Sequence, residues 1–480
     1  MAEHMLKFTT VSRQSPPKRA AQARGGDFHE IYADFIDAKA SEQASRCSQC
    51  GVPFCQTHCP LHNNIPDWLR MTAEGRLEEA YQLSQATNSM PEICGRICPQ
   101  DRLCEGSCVI EQSGHGTVTI GAVERYLSDK AWEEGWVRPL VAGKAKGQSV
   151  GVIGAGPAGL AAAERLREMG YAVTVYDRHD RPGGLLTYGI PGFKLEKEVV
   201  ERRTRRLAEG GVEYALDFEV GRDASLADLR ARHDSVLIAT GVYAARDMAV
   251  PGAGSAGVVP ALAYLIASNR KGFGDDVPEF ESGALNAAGK RVVVVGGGDT
   301  AMDCVRTAVR QGAASVTCLY RRDRANMPGS AREVMHAEEE GVIFEWLAAP
   351  RAVTGAALAA AGVVASRMRL GPADASGRQA PEEIPGADFD LQADLVIKAL
   401  GFDPEDLPTV FAAPELALSR WGTLKADAKL MTTIPGVFAA GDIVRGASLV
   451  VWAIKDGRDA ADAIHRYLAA HAAAARIAAE

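Results

Sequence analysis

Val150-Gly-Val-Ile-Gly154-Ala-Gly156-Pro157-Ala158-Gly159 is an apolar run that feeds directly into three glycines at the spacing G-x-G-x-x-G. The run 149–153 reads as a strand, 160–170 as a helix and 171–177 as a second strand. Gly154 suits the tight turn, Gly156 lets the backbone approach a pyrophosphate, and Gly159 lets the helix pack on the strand. The first turn of the helix offers unpaired amides and a positive dipole end to phosphate. Asp177 closes the second strand 18 residues after Gly159, where a carboxylate meets a ribose hydroxyl. A lone glycine triplet is weak, but this one has its strand, helix and acid. The fold class it sets is α/β.

Further pieces follow downstream: Arg181-Pro-Gly-Gly184, Ile238-Ala-Thr240-Gly241, and Gly436-Val-Phe-Ala-Ala-Gly441-Asp442. In this order they resemble the FAD domain of two-dinucleotide flavoprotein reductases. The FAD-binding candidates are therefore Gly154, Gly156, Pro157, Ala158, Gly159, Asp177, Arg178, Gly184, Leu185, Thr240, Gly241, Gly441 and Asp442. By the resemblance, Asp442 binds the ribityl–phosphate side of FAD.

Val292-Val-Val-Val-Gly296-Gly-Gly298-Asp299-Thr300-Ala301 repeats the fingerprint with alanine in the third small position. Its second strand, 316–320, runs into Arg321-Arg322 and not into an acid. A carboxylate there suits NAD, whereas a guanidinium fork suits the extra phosphate of NADP. The expected nucleotide is NADPH, on Gly296, Gly298, Asp299, Thr300, Ala301, Arg321 and Arg322, with Arg324 and Arg332 as further partners for the phosphate. The bland alternative leaves Arg321 and Arg322 as solvated loop charges. Cys304 and Cys318 read as core thiols, and Ala399-Leu-Gly-Phe402 returns the chain to the first fold.

Upstream lie eight of the ten cysteines, in the runs Cys47-x2-Cys50-x4-Cys55-x3-Cys59-Pro60 and Cys94-x3-Cys98-Pro99-x4-Cys104-x3-Cys108. Thiolates hold zinc and iron–sulfur clusters alike. Zinc prefers C-x2-C pairs with a long gap, whereas four cysteines in thirteen residues ending in Cys-Pro match the ferredoxin class, the x4 gap excepted. Eight thiolates suffice for two four-iron–four-sulfur clusters. Reduced core thiols or two zinc sites are the alternatives. His58 and His62, beside the runs, read as structural.

The 480 residues allow two to four cored domains. A net charge of −8 argues against nucleic acid. The N-terminus lacks a signal-peptide core, and the uncharged stretch 248–269 carries prolines and glycines, so no membrane span is expected and the setting is cytoplasmic. There clustered cysteines serve metals or redox chemistry. Residues 1–30 read as an extended arm, 27–44, 65–86 and 117–136 as helices, 143–149 as a linker and the tail from 460 as a helix. The domains expected are a helical double-cluster domain at 1–145, FAD-binding parts at 146–285 and 406–480, and an NADPH-binding domain at 286–405.

Clusters, FAD fold and NADPH fold in this order resemble the reductase family of the small (β) subunits of bacterial NADPH-dependent glutamate synthase, shared with the N-terminal half of dihydropyrimidine dehydrogenase. The marks are the cysteine runs, Gly154–Gly159, Tyr188-Gly-Ile-Pro-Gly192-Phe-Lys194, Gly296–Asp303, Met327-Pro328 and Gly441-Asp442. The resemblance implies one cluster on Cys47, Cys50, Cys55 and Cys108, and another on Cys59, Cys98 and Cys104, with Cys94 or Glu124 as its fourth ligand. It implies hydride transfer from NADPH to FAD, then single-electron steps through the clusters, with no catalytic acid or base. The helix around 448–463 would face the flavin with its positive end. The partner implied is a large (α) FMN-containing subunit making L-glutamate from L-glutamine and 2-oxoglutarate, docked over the clusters with the N-terminal arm as a further contact. Rival readings are an NADPH–ferredoxin oxidoreductase, the input subunit of a pyrimidine reductase, and a zinc-bearing scaffold.

Overall fold

The structure, a computed structural model, describes residues 4–355, 362–374 and 377–479, the side chains of 475–479 excepted. Its first sheet runs, in spatial order, Val437–Ala439, Ser235–Ile238, Ser149–Ile153, Ala172–Tyr176 and Val212–Ala215, all parallel. Val150 stands between Val173 and Ser235, and its strand is buried beyond Ser149, as a parallel sheet covered on both faces requires. The chain leaves this central strand to one side first and to the other later, which opens a crevice at the strands' carboxyl ends. A second parallel sheet repeats the plan: Val258–Pro260, Leu395–Lys398, Arg291–Val295, Ser315–Tyr320 and Ile343–Trp346. The two crossings between the sheets are clipped by Ala244–Ala245 pairing antiparallel with Phe402–Asp403.

Val258–Pro260 lies upstream of the second fingerprint yet pairs in the second sheet, so the division expected at 285/286 falls too late for this strand. It is a three-residue edge strand ending in proline, tolerated there because proline has no ladder N–H to donate. Such a piece leaves little periodicity to read. The antiparallel sheet Ala348–Thr354, Gly362–Ala373 and Gln379–Gln392 likewise has no clear signal in the sequence. Its last strand contains Pro381 and Gly386 and is exposed along most of its length, and its apolar alternation, Ala387, Phe389 and Leu391, is confined to the end.

The front of the chain is helical, built on Asp37–Ala44, Ile65–Ala73, Leu77–Thr87, Pro91–Ile97 and Ile120–Glu133 around Trp68, Tyr81, Val123 and Leu127. The helix expected over 65–86 is two, broken at Gly75 with φ +78°. The helix expected over 27–44 forms only as Asp37–Ala44. Its upstream apolar residues do not share one face: Phe28 meets the Phe193 ring at 6.2 Å, Tyr32 Oη bonds His336 Nε2 at 2.9 Å, and Ile31 and Phe35 are buried. Tertiary anchors at separate places override the local pattern.

The N-terminal arm lies on its own chain. Lys18 Nζ donates to Glu339 Oε1 at 2.7 Å, and Arg24, 1% exposed, pairs with Glu340 at 2.9 Å. Leu6 N–H donates to the Cys47 carbonyl at 3.2 Å. One continuous core joins Met90, Ile93, Cys94 and Cys98 to the first sheet's helices, including Val450–Ala479. Among the described residues no helix is long and apolar enough to cross a membrane.

Candidate functional site

A cleft of about 250 Å³ lies at the carboxyl ends of the first sheet. Gly154 takes φ +108°, and a Cβ on Gly159 would sit 1.9 Å from the Gly154 carbonyl oxygen, so only glycine lets helix Pro157–Glu168 approach the loop. Gly156 has open space where a Cβ would stand and lines the cleft, a cradle that fits a pyrophosphate. Pro157, Ala158, Gly184, Leu185, Thr240, Gly241, Gly441 and Asp442 line the same space. Thr240 Oγ1 is buried with no partner, as a group reserved for a ligand would be.

Asp177 also lines the cleft, its carboxylate accepting from the Ala155 N–H at 2.7 Å and the His179 N–H at 2.9 Å, which fixes it against the glycine loop. Asp442 accepts from Ser448 Oγ at 2.6 Å while burial pushes its carboxyl up. Arg178 does not line the cleft. It forks onto Glu405 at 2.9 and 3.3 Å and lies over the Tyr243 ring, because that carboxylate gives it a bidentate partner.

The opposite wall comes from the second fold. Asp299 and Thr300, at the head of helix Asp299–Arg310, face the cleft, with Asp303, Ser330, Arg332 and Glu333. Gly296, Gly298 and the fully buried Ala301 shape the turn behind them without lining it. Arg332 Nη1 donates to Gln100 at 3.1 Å and Arg102 to the Pro328 carbonyl at 2.8 Å, tying this wall to the second cysteine run. Arg324 is engaged with Glu338 at 2.6 and 2.8 Å. Arg321 is exposed and Arg322 half-buried, outside the cleft; among the described residues neither makes an ion pair. Lys194, Leu449 and Val450 line the cleft too, and no dinucleotide fingerprint points to them.

Folding sorts the cysteines into two hollows. Cys47, Cys50, Cys55 and Cys108 ring one; Cys59, Cys94, Cys98 and Cys104 ring the other, with Glu124. Among the described residues no three His, Cys, Asp or Glu side chains converge as around a single ion; the thiols encircle space instead. Burial and neighbouring thiols push Cys47 up to about 11 and Cys55 to about 12, and burial pushes Cys59 up to about 11. Thiolates crowded this way need a shared cation to offset their desolvation and repulsion, which an iron–sulfur cluster provides. In the second hollow burial pushes Glu124 up to about 8, and Asn88 links it to Cys94, donating to Glu124 Oε1 at 3.4 Å and accepting from Cys94 Sγ at 3.8 Å. Five donors thus surround this hollow, and Cys94 and Glu124 both remain in reach.

Cys98 lines both the cleft and the second hollow, and Ile120 lines both hollows. Phe54 closes the first hollow and is 45% exposed, beside Val52 at 63%. The three cavities therefore form a series that runs from the dinucleotide folds to the surface.

Comparison with known proteins bears on this arrangement. Residues 24–136 match the family described as dihydropyrimidine dehydrogenase domain II, 4Fe-4S cluster, and residues 148–457 match the pyridine nucleotide-disulphide oxidoreductases. The glutamate synthase (NADPH) small chain of Azospirillum brasilense is 66% identical over 473 residues, 98% of each chain. That of Escherichia coli K12 is 47% identical over 476 residues, 98% of this chain and all of the other. FprA of Mycobacterium tuberculosis, solved in complex with NADPH, shares the fold: TM-score 0.58 at 19% identity, over 68% of this chain and 86% of that one. This chain, a pyridine-nucleotide oxidoreductase with a four-iron–four-sulfur module, belongs to the family of glutamate synthase (NADPH) small chains.

Proposed function

We propose that this chain is the electron-input subunit of a cytoplasmic glutamate synthase, oxidising NADPH and feeding a large FMN-containing subunit through two clusters. The observation that carries this reading is the series of cavities joined at Cys98 and Ile120. Bound FAD supplies a centre that accepts a hydride and yields electrons singly, and the clusters supply one-electron carriers.

The chain's own residues do the positioning. The loop Gly154–Gly159, with Thr240, Gly241, Gly441 and Asp442, holds FAD. Asp299 and Thr300, on the facing wall, would hold NADPH, and Arg321 and Arg322, outside the cleft, would take its ribose phosphate. The N-terminus of the long helix Val450–Ala479 reaches the cleft at Val450 and places a positive dipole end there, favouring negative charge on reduction. Cys47, Cys50, Cys55 and Cys108 hold the outer cluster; Cys59, Cys98 and Cys104, with Cys94 or Glu124, hold the inner one. The large subunit docks over Val52 and Phe54, where the outer hollow meets the surface. The N-terminal arm is spent on intramolecular contacts and leaves that role to Val52 and Phe54.

Replacing Arg321 and Arg322 together with alanine is expected to weaken NADPH binding by about tenfold to a hundredfold, the value of one to two charge-assisted hydrogen bonds. NADH binding should change far less; equal losses for the two nucleotides would remove the phosphate assignment. The acceptor is tested by mixing the chain with the large subunit. NADPH-driven glutamate formation from glutamine and 2-oxoglutarate supports the reading, and reduction of ferredoxin with no glutamate formed overturns it.

A further inference from the structure

A second cavity of about 300 Å³ lies under the N-terminal arm, lined by Pro16, Ile31 and Tyr32 among others. It shares a wall with the dinucleotide cleft: Lys194, Arg332 and Glu333 line both spaces. Asp303 lines the cleft side of that wall, 7% exposed, and accepts from Lys194 Nζ at 2.8 Å. Glu333 stands 4.0 Å from the same ammonium and accepts from Arg306 at 2.6 Å.

The stoichiometry of the proposed function gives this wall a task. Each NADPH gives up a hydride, two electrons with one proton, and the clusters carry away electrons only. One proton per turnover is therefore left in the cleft, among several charged and polar side chains. Resting on that reading, we propose that Asp303 and Lys194 form the exit for this proton, passing it from the cleft to water in the cavity under the arm.

The other carboxylates of the cleft are committed. Asp177 is held by the Ala155 and His179 amides, Asp299 by the Ser330 N–H and Arg102, and Asp442 by Ser448. Lys194 alone joins Asp303 to the far cavity by a direct hydrogen bond among the described residues lining both. In the step, the bond that holds the proton to the reduced carrier breaks as the Asp303 carboxylate takes it and forms an O–H bond. That bond breaks as the proton moves onto Lys194 nitrogen, while the ammonium releases one of its own protons to water. The pair returns to carboxylate and ammonium, and no electrons move. Glu333, held ionised by Lys194 and Arg306, keeps the ammonium's charge matched throughout.

Charges from every side set Asp303: Lys194 pulls it down, Glu333 and Asp299 push it up, and Lys197, Cys304 and Arg306 also feel its charge. Burial wins, and its carboxyl stands at about 6. A carboxylate accepts a proton only above its pKa, so the exit should slow as pH falls through about 6.

The test uses the cofactor-loaded protein under anaerobic rapid mixing with NADPH, with flavin bleaching, cluster absorbance and a pH indicator read together. In Asp303→Asn and in Lys194→Met, cluster reduction and proton release should slow at least about tenfold more than flavin bleaching does. Asp303→Glu should restore both. In the resting oxidised protein, Asp303→Asn should also remove an infrared band of a protonated carboxyl that titrates near 6 in the wild type. Bleaching and cluster reduction slowing equally, or an unchanged pH profile and infrared band in Asp303→Asn, would overturn the exit. No bleaching by NADPH in the wild type would instead overturn the function on which it rests.

Discussion

Replacing Glu92 with alanine is expected to destabilise the chain by about 3–5 kcal/mol, the effect of stripping one partner from a buried ion pair. Glu92, 0% exposed, sits in helix Pro91–Ile97, which also carries Cys94. Its two oxygens accept from Arg203 Nε at 2.7 Å and Nη2 at 2.9 Å. Arg203, 1% exposed on helix Lys197–Glu209, belongs to the FAD-binding side of the structure. Without the carboxylate a guanidinium is left in an apolar setting, with Glu164 at 3.9 Å and the Trp132 ring at 5.3 Å as poor substitutes. Denaturant unfolding followed by tryptophan fluorescence measures the loss. Glu92→Ala combined with Arg203→Leu should recover much of it, because the pair's worth lies in mutual desolvation. A loss below about 1 kcal/mol would show that this pair does not lock the cysteine module to the flavin fold.

Gly159→Ala is expected to empty the flavin site. The added Cβ would stand 1.9 Å from the Gly154 carbonyl oxygen, a backbone atom with no room to yield without moving the loop that also carries Gly156. Overpacking of this kind costs about 1–3 kcal/mol where side chains can adjust, and here the obstacle is main chain. FAD affinity should fall by at least about a hundredfold. The variant should purify folded, by its far-ultraviolet dichroism, but pale. Retention of stoichiometric FAD would remove the loop from the site. Gly156→Ala, which meets open space, should disturb folding less and act on the ligand directly.

Where a residue's chemistry is set by its neighbours in sequence, the chain could be read directly. Both parallel sheets follow from apolar runs ending in glycine, and the helical front end follows from segments such as Ile120–Glu133. Spacing alone showed eight clustered thiols, and folding divides them four and four, pairing Cys108 with the first run across about fifty intervening residues. That division depends on a long loop closure that spacing does not encode.

Other features were hidden because tertiary contacts overrode local pattern. Phe28, Ile31, Tyr32 and Phe35 have helical spacing, yet each finds a partner elsewhere and the segment stays extended. Gly75 was a readable breaker within 65–86 and marks the stop between two helices. Arg178 follows Asp177 just past the strand Ala172–Tyr176 but is claimed by Glu405, more than two hundred residues away in the chain. The wall between the dinucleotide cleft and the cavity under the arm joins Lys194, Asp303 and Glu333 from three separate elements, so no motif announces it. Only the Gly192-Phe-Lys194 and Gly296–Asp303 stretches hinted that these residues belong near the cofactors.

The central claim is that electron pairs enter at the cleft and leave singly through the cysteine hollows. Anaerobic addition of NADPH to the purified chain, with flavin absorbance and the electron paramagnetic resonance of reduced iron–sulfur centres followed together, tests it most directly. The account predicts that the flavin bleaches and that reduced-cluster signals then appear, the latter lost in Cys98→Ser while NADPH still bleaches the flavin. A protein that carries zinc and no flavin, or whose clusters stay oxidised after the flavin has bleached, would contradict it.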